Sequence, residues 1–182
     1  MSTPALKEWS AAVHALLDGR QTVLLRKGGI GEKRFSLTAE RFLLFPTVAH
    51  SHAERVRPEH RDLLAPAAPD STAEQIIVRA GARVVAAVEV RHPEAIGELE
   101  SLHIWTTQSV QADRLDFRPK RRLAVLVVQV SPLLEPVTVA RTAQHGGCTS
   151  WVDLSVTARW GEPVHGDAGL ETVAEQVHRS VG

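Results

Sequence analysis

The run Arg26-Lys27-Gly28-Gly29-Ile30-Gly31 sets two cations against a cluster of glycines. Backbone N–H groups in such a turn form an anion-binding nest, and a fixed guanidinium beside it suits a phosphate. The same run also reads as a hairpin turn flanked by solvated charge. No helix follows at once and no Lys-Ser/Thr closes the loop, so it is neither a P-loop nor a dinucleotide fingerprint. A second basic run, Arg118-Pro119-Lys120-Arg121-Arg122, precedes a strongly apolar segment. It reads either as a grip on a nucleic-acid backbone or as a solubilising guard beside an aggregation-prone strand. Residues 20–41 hold six basic and two acidic side chains and residues 114–122 hold five and one, so each segment carries +4 in a chain of net charge zero. A neutral protein then presents a basic face if the fold makes the two segments neighbours.

Histidine titrates near neutrality, which makes His50 and His103 candidates for acid–base work, although a lone histidine is as readily structural. His50 and His52, or His145 and Cys148, offer two metal-capable groups at a time, whereas a bound metal needs three or four converging ligands. No metal site and no cofactor are implied. Cys148 is the single cysteine; it reads as a nucleophile beside a histidine or as a buried small hydrophobe. Trp105, like Trp9, Trp151 and Trp160, either stacks on a base or fills a core. Pro69-Asp70 with Glu89-Val90-Arg91 mimics the spacing of metal-dependent nucleases, but arginine stays protonated and cannot tune its pKa as a catalytic lysine does.

The elements that must position these groups follow from periodicity. Thr3-Pro4 reads as an N-cap and first-turn proline, and Leu6, Trp9, Val13, Leu16 and Leu17 recur at helical spacing, which predicts a helix over 4–18 stopped by Gly19. Thr22–Lys27 and Phe42–Phe45 read as strands, the second ended by Pro46. Residues 49–64 read as helical with a break at Pro58, and 65–70 as a hinge loop. Gln75–Val90 is a long strand bent at Gly81. Short helices are expected over 93–99 and 107–115. Leu123–Val130 is nearly all apolar and reads as the central strand, with Pro132–Ala140 pairing back on it. Trp151, Leu154 and Val156 suit a further strand, and Leu170, Val173, Val177 and Val181 a closing helix capped by Asp167.

With 182 residues, 43% of them hydrophobic, the chain fits one compact domain rather than a linker or a disordered tail. We expect residues 1–160 to form a single α+β domain, with 161–182 an amphipathic helix packed on it. Zero net charge removes whole-molecule steering towards nucleic acid or membrane and leaves only local patches. No apolar run reaches the length of a membrane span, and the first residues lack a basic-then-apolar signal pattern, so a cytoplasmic location is expected.

Leu25-Arg26-Lys27-Gly28-Gly29-Ile30, Phe42-Leu43-Leu44-Phe45-Pro46-Thr47 with His50, His103-Ile104-Trp105-Thr106, and Gly147-Cys148 with Ser150-Trp151-Val152 together resemble the bacterial family called domain of unknown function 1802. Val48 and Ser51 depart from the aromatic and the Gln which that resemblance favours. It implies no established activity. A shorter likeness covers Gly19-Arg20-Gln21-Thr22-Val23-Leu24-Leu25-Arg26, which looks like the opening of ASCH domains, RNA-associated relatives of the pseudouridine synthase and archaeosine transglycosylase (PUA) barrel. Those carry Gly-x-Lys-x-x-Glu-x-Arg there; in this chain Gln21 and Leu24 stand at the Lys and Glu positions. The resemblance therefore implies a binding role more than the amidohydrolase chemistry of some ASCH proteins.

The expectation is an α+β fold with a mostly antiparallel, partly closed PUA- or ASCH-like barrel and flanking helices. It binds RNA, DNA or a nucleotide-like anion, with no membrane partner. Arg26, Lys27, Gly28 and Gly29 take phosphate, Trp105 lines the pocket with the two histidines, and Arg118, Lys120, Arg121 and Arg122 hold the backbone. Two alternatives stand beside it. One is a hydrolase acting on a phosphodiester or modified base through His50 and His103; the other is a non-catalytic module that docks a protein partner.

Overall fold

A computed structural model describes residues 1–27 and 37–182. Gly28 and Gly29, and the glycine turn to which they belong, lie outside the described residues. Six strands form one sheet in the order β2-β5-β4-β3-β1-β6: β1 is Thr3–Trp9, β2 Val23–Lys27, β3 Arg41–Thr47, β4 Gln75–Glu89, β5 Leu123–Ala140 and β6 Trp151–Leu154. All neighbours run antiparallel except β1 and β3, which are parallel. The fold is mixed α+β, as the sequence implies, but the hydrogen-bonded ladder is open, with β2 and β6 at its edges.

The long pair β4 and β5 curls the sheet. Between the pairs Val78–Val137 and Ala80–Pro132, β4 advances two residues and β5 five, so residues 133–136 bulge out. A second shift at Val85 follows. Bulges sharpen strand twist, and the first one also accommodates two prolines. This corrects the reading of Pro132–Ala140 as a separate strand pairing back: β5 is continuous and pairs along β4. Gly81 sits in the bend because a Cβ there would lie 2.2 Å from the Trp160 ring, which in turn carries the Arg41 guanidinium 3.7 Å above it.

Residues 3–9 are a strand, not the first half of a helix. Ala5 and Leu6 are both fully buried and belong to different apolar clusters, Ala5 with Phe45 and Val152, Leu6 with Leu24, Phe42 and Leu126. Only two-fold alternation buries consecutive residues on opposite faces. The helix α1 begins at Ser10 and ends at Leu17, with Val13 and Leu16 plugging the concave side of the sheet. The apparent helical repeat was thus the sum of a strand and a helix. Pro4 and Pro46 both lie near strand ends, opposite Asp153 and Glu8.

The convex side is covered by short helices and by the C-terminus. Helix α2 (His52–Arg55) and a 3₁₀ turn at Pro58–Leu63 fall in the stretch read as helical, whereas α3 (Leu64–Ala67) and a 3₁₀ turn at Ala68–Asp70 replace the expected hinge loop. A ten-residue 3₁₀ segment, Pro93–Leu102, leads to α4 (Thr107–Val110), whose Thr106 side chain accepts from the Ser109 N–H at 3.0 Å. A π-helical turn over Gln111–Asp116 continues α4. Helix α5 (Asp167–Val181) buries Leu170, Val177 and Val181 against the same core. Asp167 does not cap it; the carboxylate takes Arg83 at 2.8 Å instead, and Gly166 holds the cap position. Among the described residues no helix is long and apolar enough to cross a membrane.

Candidate nucleic-acid interface

Strand β2 alternates strictly: Leu24 points into the concave core, while Val23 and Leu25 pack on the helical side. Arg26 follows in the concave phase at the open edge, where the curled sheet brings it against β1. Its Nη1 donates to the Lys7 carbonyl at 2.9 Å and stands 3.6 Å from the Glu8 carboxylate. Burial lowers the Arg26 pKa and Glu8 counteracts that; arginine remains charged throughout. Glu8 is 3% exposed, accepts from the Trp9 N–H at 2.8 Å, and its carbonyl accepts from the Thr47 hydroxyl at 3.2 Å.

A cleft of about 300 Å³ opens along this seam. It is lined by Lys7 and Glu8 of β1, Arg26 and Lys27 of β2, Cys148, Thr149 and Ser150, and Arg114, Phe117 and Arg118. The Lys7 ammonium donates to the Gly146 and Gly147 carbonyls at 3.4 and 3.3 Å, and Gly147 adopts φ +81°, a left-handed conformation that favours glycine. Lys27 donates to the Leu115 carbonyl at 3.1 Å, which ties β2 to the π-helical turn. Five cations face two carboxylates here, and Asp113 is already paired with Arg55 at 2.6 Å.

Both amines feel that field. Burial lowers the Lys7 pKa, Arg141 lowers it further, and Cys148 opposes them. Burial also lowers Lys27, with Asp116 raising it and Arg114 lowering it. An anion in the cleft restores the solvation these groups have lost.

The segment 111–118 is irregular. Its π-helical turn ends in Phe117, which is 52% exposed, and in Arg118, whose φ of +50° is the one left-handed non-glycine conformation among the described residues. Left-handed backbone at a bulky residue is strained, and strain of this kind gathers at functional sites. The Arg118 guanidinium lies 4.8 Å from the Phe117 ring. On the other side of the segment a second cleft, about 460 Å³, has Lys27, Arg114, Arg121 and Arg122 in its walls together with Glu94 and Asp116.

The fold therefore makes neighbours of the two basic segments through Arg26 and Lys27 on one side and Arg114–Arg122 on the other. Lys120 is exposed and lines neither cleft. His50 is exposed and also lines neither. His103 is 3% exposed, accepts the Trp105 N–H at 3.1 Å, and is pushed down to about 4 mainly by burial. Trp105 is 4% exposed and meets Trp9 edge-on at 6.3 Å. His52 also lies against Trp9 at 5.0 Å and is likewise pushed down to about 4 by burial, then by Arg55. Asp70 is held by His14 at 2.6 Å and Arg79 at 2.8 Å, and Glu89 is bonded to Arg122, so the nuclease-like carboxylates serve the structure. No group of three His, Cys, Asp or Glu suited to a metal occurs among the described residues.

Lys7, Glu8, Arg114 and Phe117 were not legible as site residues. Arg114 and Phe117 had a signal, since they bracket the start of the second basic run. Lys7 and Glu8 had none, because a helical reading of 4–18 turns them away from β2.

The family model for the domain of unknown function DUF1802 matches residues 5–176, nearly the whole chain. The chain belongs to this family. Both clefts of this DUF1802 domain fall inside the matched region. Among solved structures it is similar to ASCH from Zymomonas mobilis, at 16% identity over 74% of this chain and 71% of that one, with a TM-score of 0.46. A mutant of the same protein matches over 94% of both chains at 12% identity and a TM-score of 0.44. No curated protein matches it. Gln21 is 1% exposed and joins two segments, donating to the Val23 carbonyl at 2.9 Å and accepting from the Ile104 N–H at 3.3 Å. Leu24 is fully buried.

Proposed function

We propose that the seam cleft of this DUF1802 domain binds single-stranded nucleic acid, with phosphate held by its cations and a base resting on Phe117. The observation that carries this reading is the convergence of Lys7, Arg26, Lys27, Arg114 and Arg118 around one open cleft with a half-exposed phenylalanine at its rim. Cations alone give electrostatic affinity; an exposed aromatic ring adds a sequence-tolerant stacking surface. Lys7 and Lys27 are partly desolvated before any ligand arrives, so a phosphate regains for them an interaction that water supplies poorly in the cleft. The open ladder supports this reading, since the unpaired edge of β2 lies beside the Lys7 and Glu8 end of β1.

The test is fluorescence anisotropy with labelled single-stranded RNA and DNA at roughly 50 and 200 mM salt. Binding is expected to weaken steeply with salt, and Lys27→Ala to weaken it at both concentrations and lower the salt slope by about one. Affinity that does not change with salt, or that Lys27→Ala leaves intact, overturns the proposal.

A further inference from the structure

We infer that the second cleft is a phosphate site continuous with the first, so that the ligand is an oligonucleotide spanning two successive phosphodiester units rather than a mononucleotide. This rests on the reading of the seam cleft given above. Lys27 and Arg114 stand in the walls of both clefts, one at the end of β2 and the other on the π-helical turn. They form a cationic ridge with a cavity on each side, so a chain of phosphates crossing the ridge meets positive charge without interruption.

The second cleft has a donor still to be used. Nη1 of Arg121 is shielded from solvent and has no hydrogen-bond partner, although the residue lines the cavity. A buried guanidinium N–H left unpaired is costly, and an incoming anionic oxygen removes that cost. The carboxylates nearby are engaged with other groups, Glu94 with His92 at 3.2 Å. Asp116 accepts from Gln111 at 2.8 Å, and Arg122 is bonded to Glu89. A turn holds the Arg121 backbone, its N–H donating to the Arg118 carbonyl at 2.9 Å, and Arg118 lines the first cleft while Arg121 lines the second.

Two cavities of nucleoside size favour a phosphodiester over a pyrophosphate. About 300 Å³ on one side and 460 Å³ on the other are small-ligand volumes, larger than a bare phosphate needs. Each leaves room for a nucleoside unit. A pyrophosphate joins its two phosphorus atoms through one oxygen and so reaches less far across the ridge than a phosphodiester-linked pair.

The experiment compares three probes by competition against a labelled oligonucleotide: a nucleoside 5′-monophosphate, the matching 5′-diphosphate, and the 5′-phosphorylated dinucleotide. The dinucleotide is expected to bind about tenfold more tightly than the monophosphate, as one charge-assisted contact provides. Arg121→Gln removes that gain without lowering the thermal midpoint, since it deletes an unpaired donor. The inference is overturned if the dinucleotide gains nothing, if the gain survives Arg121→Gln, or if the diphosphate gains as much through Arg121. Binding of the monophosphate without the gain sinks only this inference. Failure of all three probes, and of the labelled oligonucleotide, sinks the seam-cleft reading with it.

Discussion

The guanidinium of Arg26 donates to the main-chain oxygen of Lys7 at 2.9 Å, joining an edge strand to a strand from which three others separate it in the sheet. The contact holds the curled sheet together where the ladder stays open. It also fixes part of the lining of the seam cleft, because the same guanidinium faces the buried Glu8 carboxylate at 3.6 Å.

Arg26→Met should therefore act on stability before it acts on binding. It leaves Glu8, 3% exposed, without its cationic neighbour, and removing one member of a buried ion pair costs about 3 kcal/mol. Adding Glu8→Gln should recover most of that loss, since the stranded charge is then gone. Urea denaturation of the two variants reads this directly. A single variant as stable as the parent, or a double variant no better than the single, would show that the seam is not held by this pair.

Acid stability should depend on His52 and His103. Both are held near 4 against an ordinary 6.5, chiefly by burial. Unfolding returns them to the ordinary value, so between those two pH values the unfolded chain binds more protons than the folded one. Their contribution is complete above pH 6.5 and is lost as pH falls towards 4, at about 1 kcal/mol per pH unit for each histidine. His52→Phe keeps a ring against Trp9 and deletes one titration. The pH dependence of its urea midpoint should flatten relative to the parent; an unchanged slope would mean that His52 is not neutral in the fold.

How far the sequence reaches is clear from particular residues. The alternating clusters of β2 and β5 were legible because adjacent residues such as Leu24 and Leu25, or Val125 and Leu126, are apolar and β-forming with turns at either end. Residues 3–9 were misread because Leu6 and Trp9, although in a strand, fall in helical phase with Val13 and Leu16 of the next element. Pro132 looked like the start of a separate strand, yet β5 runs on through a bulge at 133–136. In the site, glycines and arginines drew attention to Arg26, Lys27 and Arg118, which do line clefts. The pairing of β2's end with segment 111–118 is a long-range event that leaves no local trace, so Lys7 was invisible and Arg114 showed only as one charge of a basic run.

Phe117 offers a separation of binding from folding. It is 52% exposed and its ring contacts the Arg118 guanidinium, so Phe117→Ala should leave the thermal midpoint nearly unchanged. Loss of base stacking should weaken single-stranded oligonucleotide binding by about 1–3 kcal/mol. Phe117→Trp should restore or exceed the parent affinity. If alanine binds as well as phenylalanine, the ring is a surface accident and the cleft recognises phosphate alone.

Cys148 reports the field of the cleft from inside it. As the single cysteine, exposed and lining the cleft with Ser150 and Arg118, it reacts without interference from other thiols. The potential made by Lys7, Arg26, Lys27, Arg114 and Arg118 should concentrate anions there. A sulfonate-bearing methanethiosulfonate should therefore modify Cys148 at least about tenfold faster than a trimethylammonium-bearing one, each rate taken relative to the urea-unfolded chain. Salt should narrow the ratio, since the Debye length shrinks to about 3 Å at 1 M, and Lys7→Met should narrow it at low salt. A single-stranded oligonucleotide should slow both reagents by covering the thiol. Equal rates for the two reagents at low salt would mean that the cations around Cys148 are neutralised where they stand, and the binding function proposed for the seam would lose the observation that carries it.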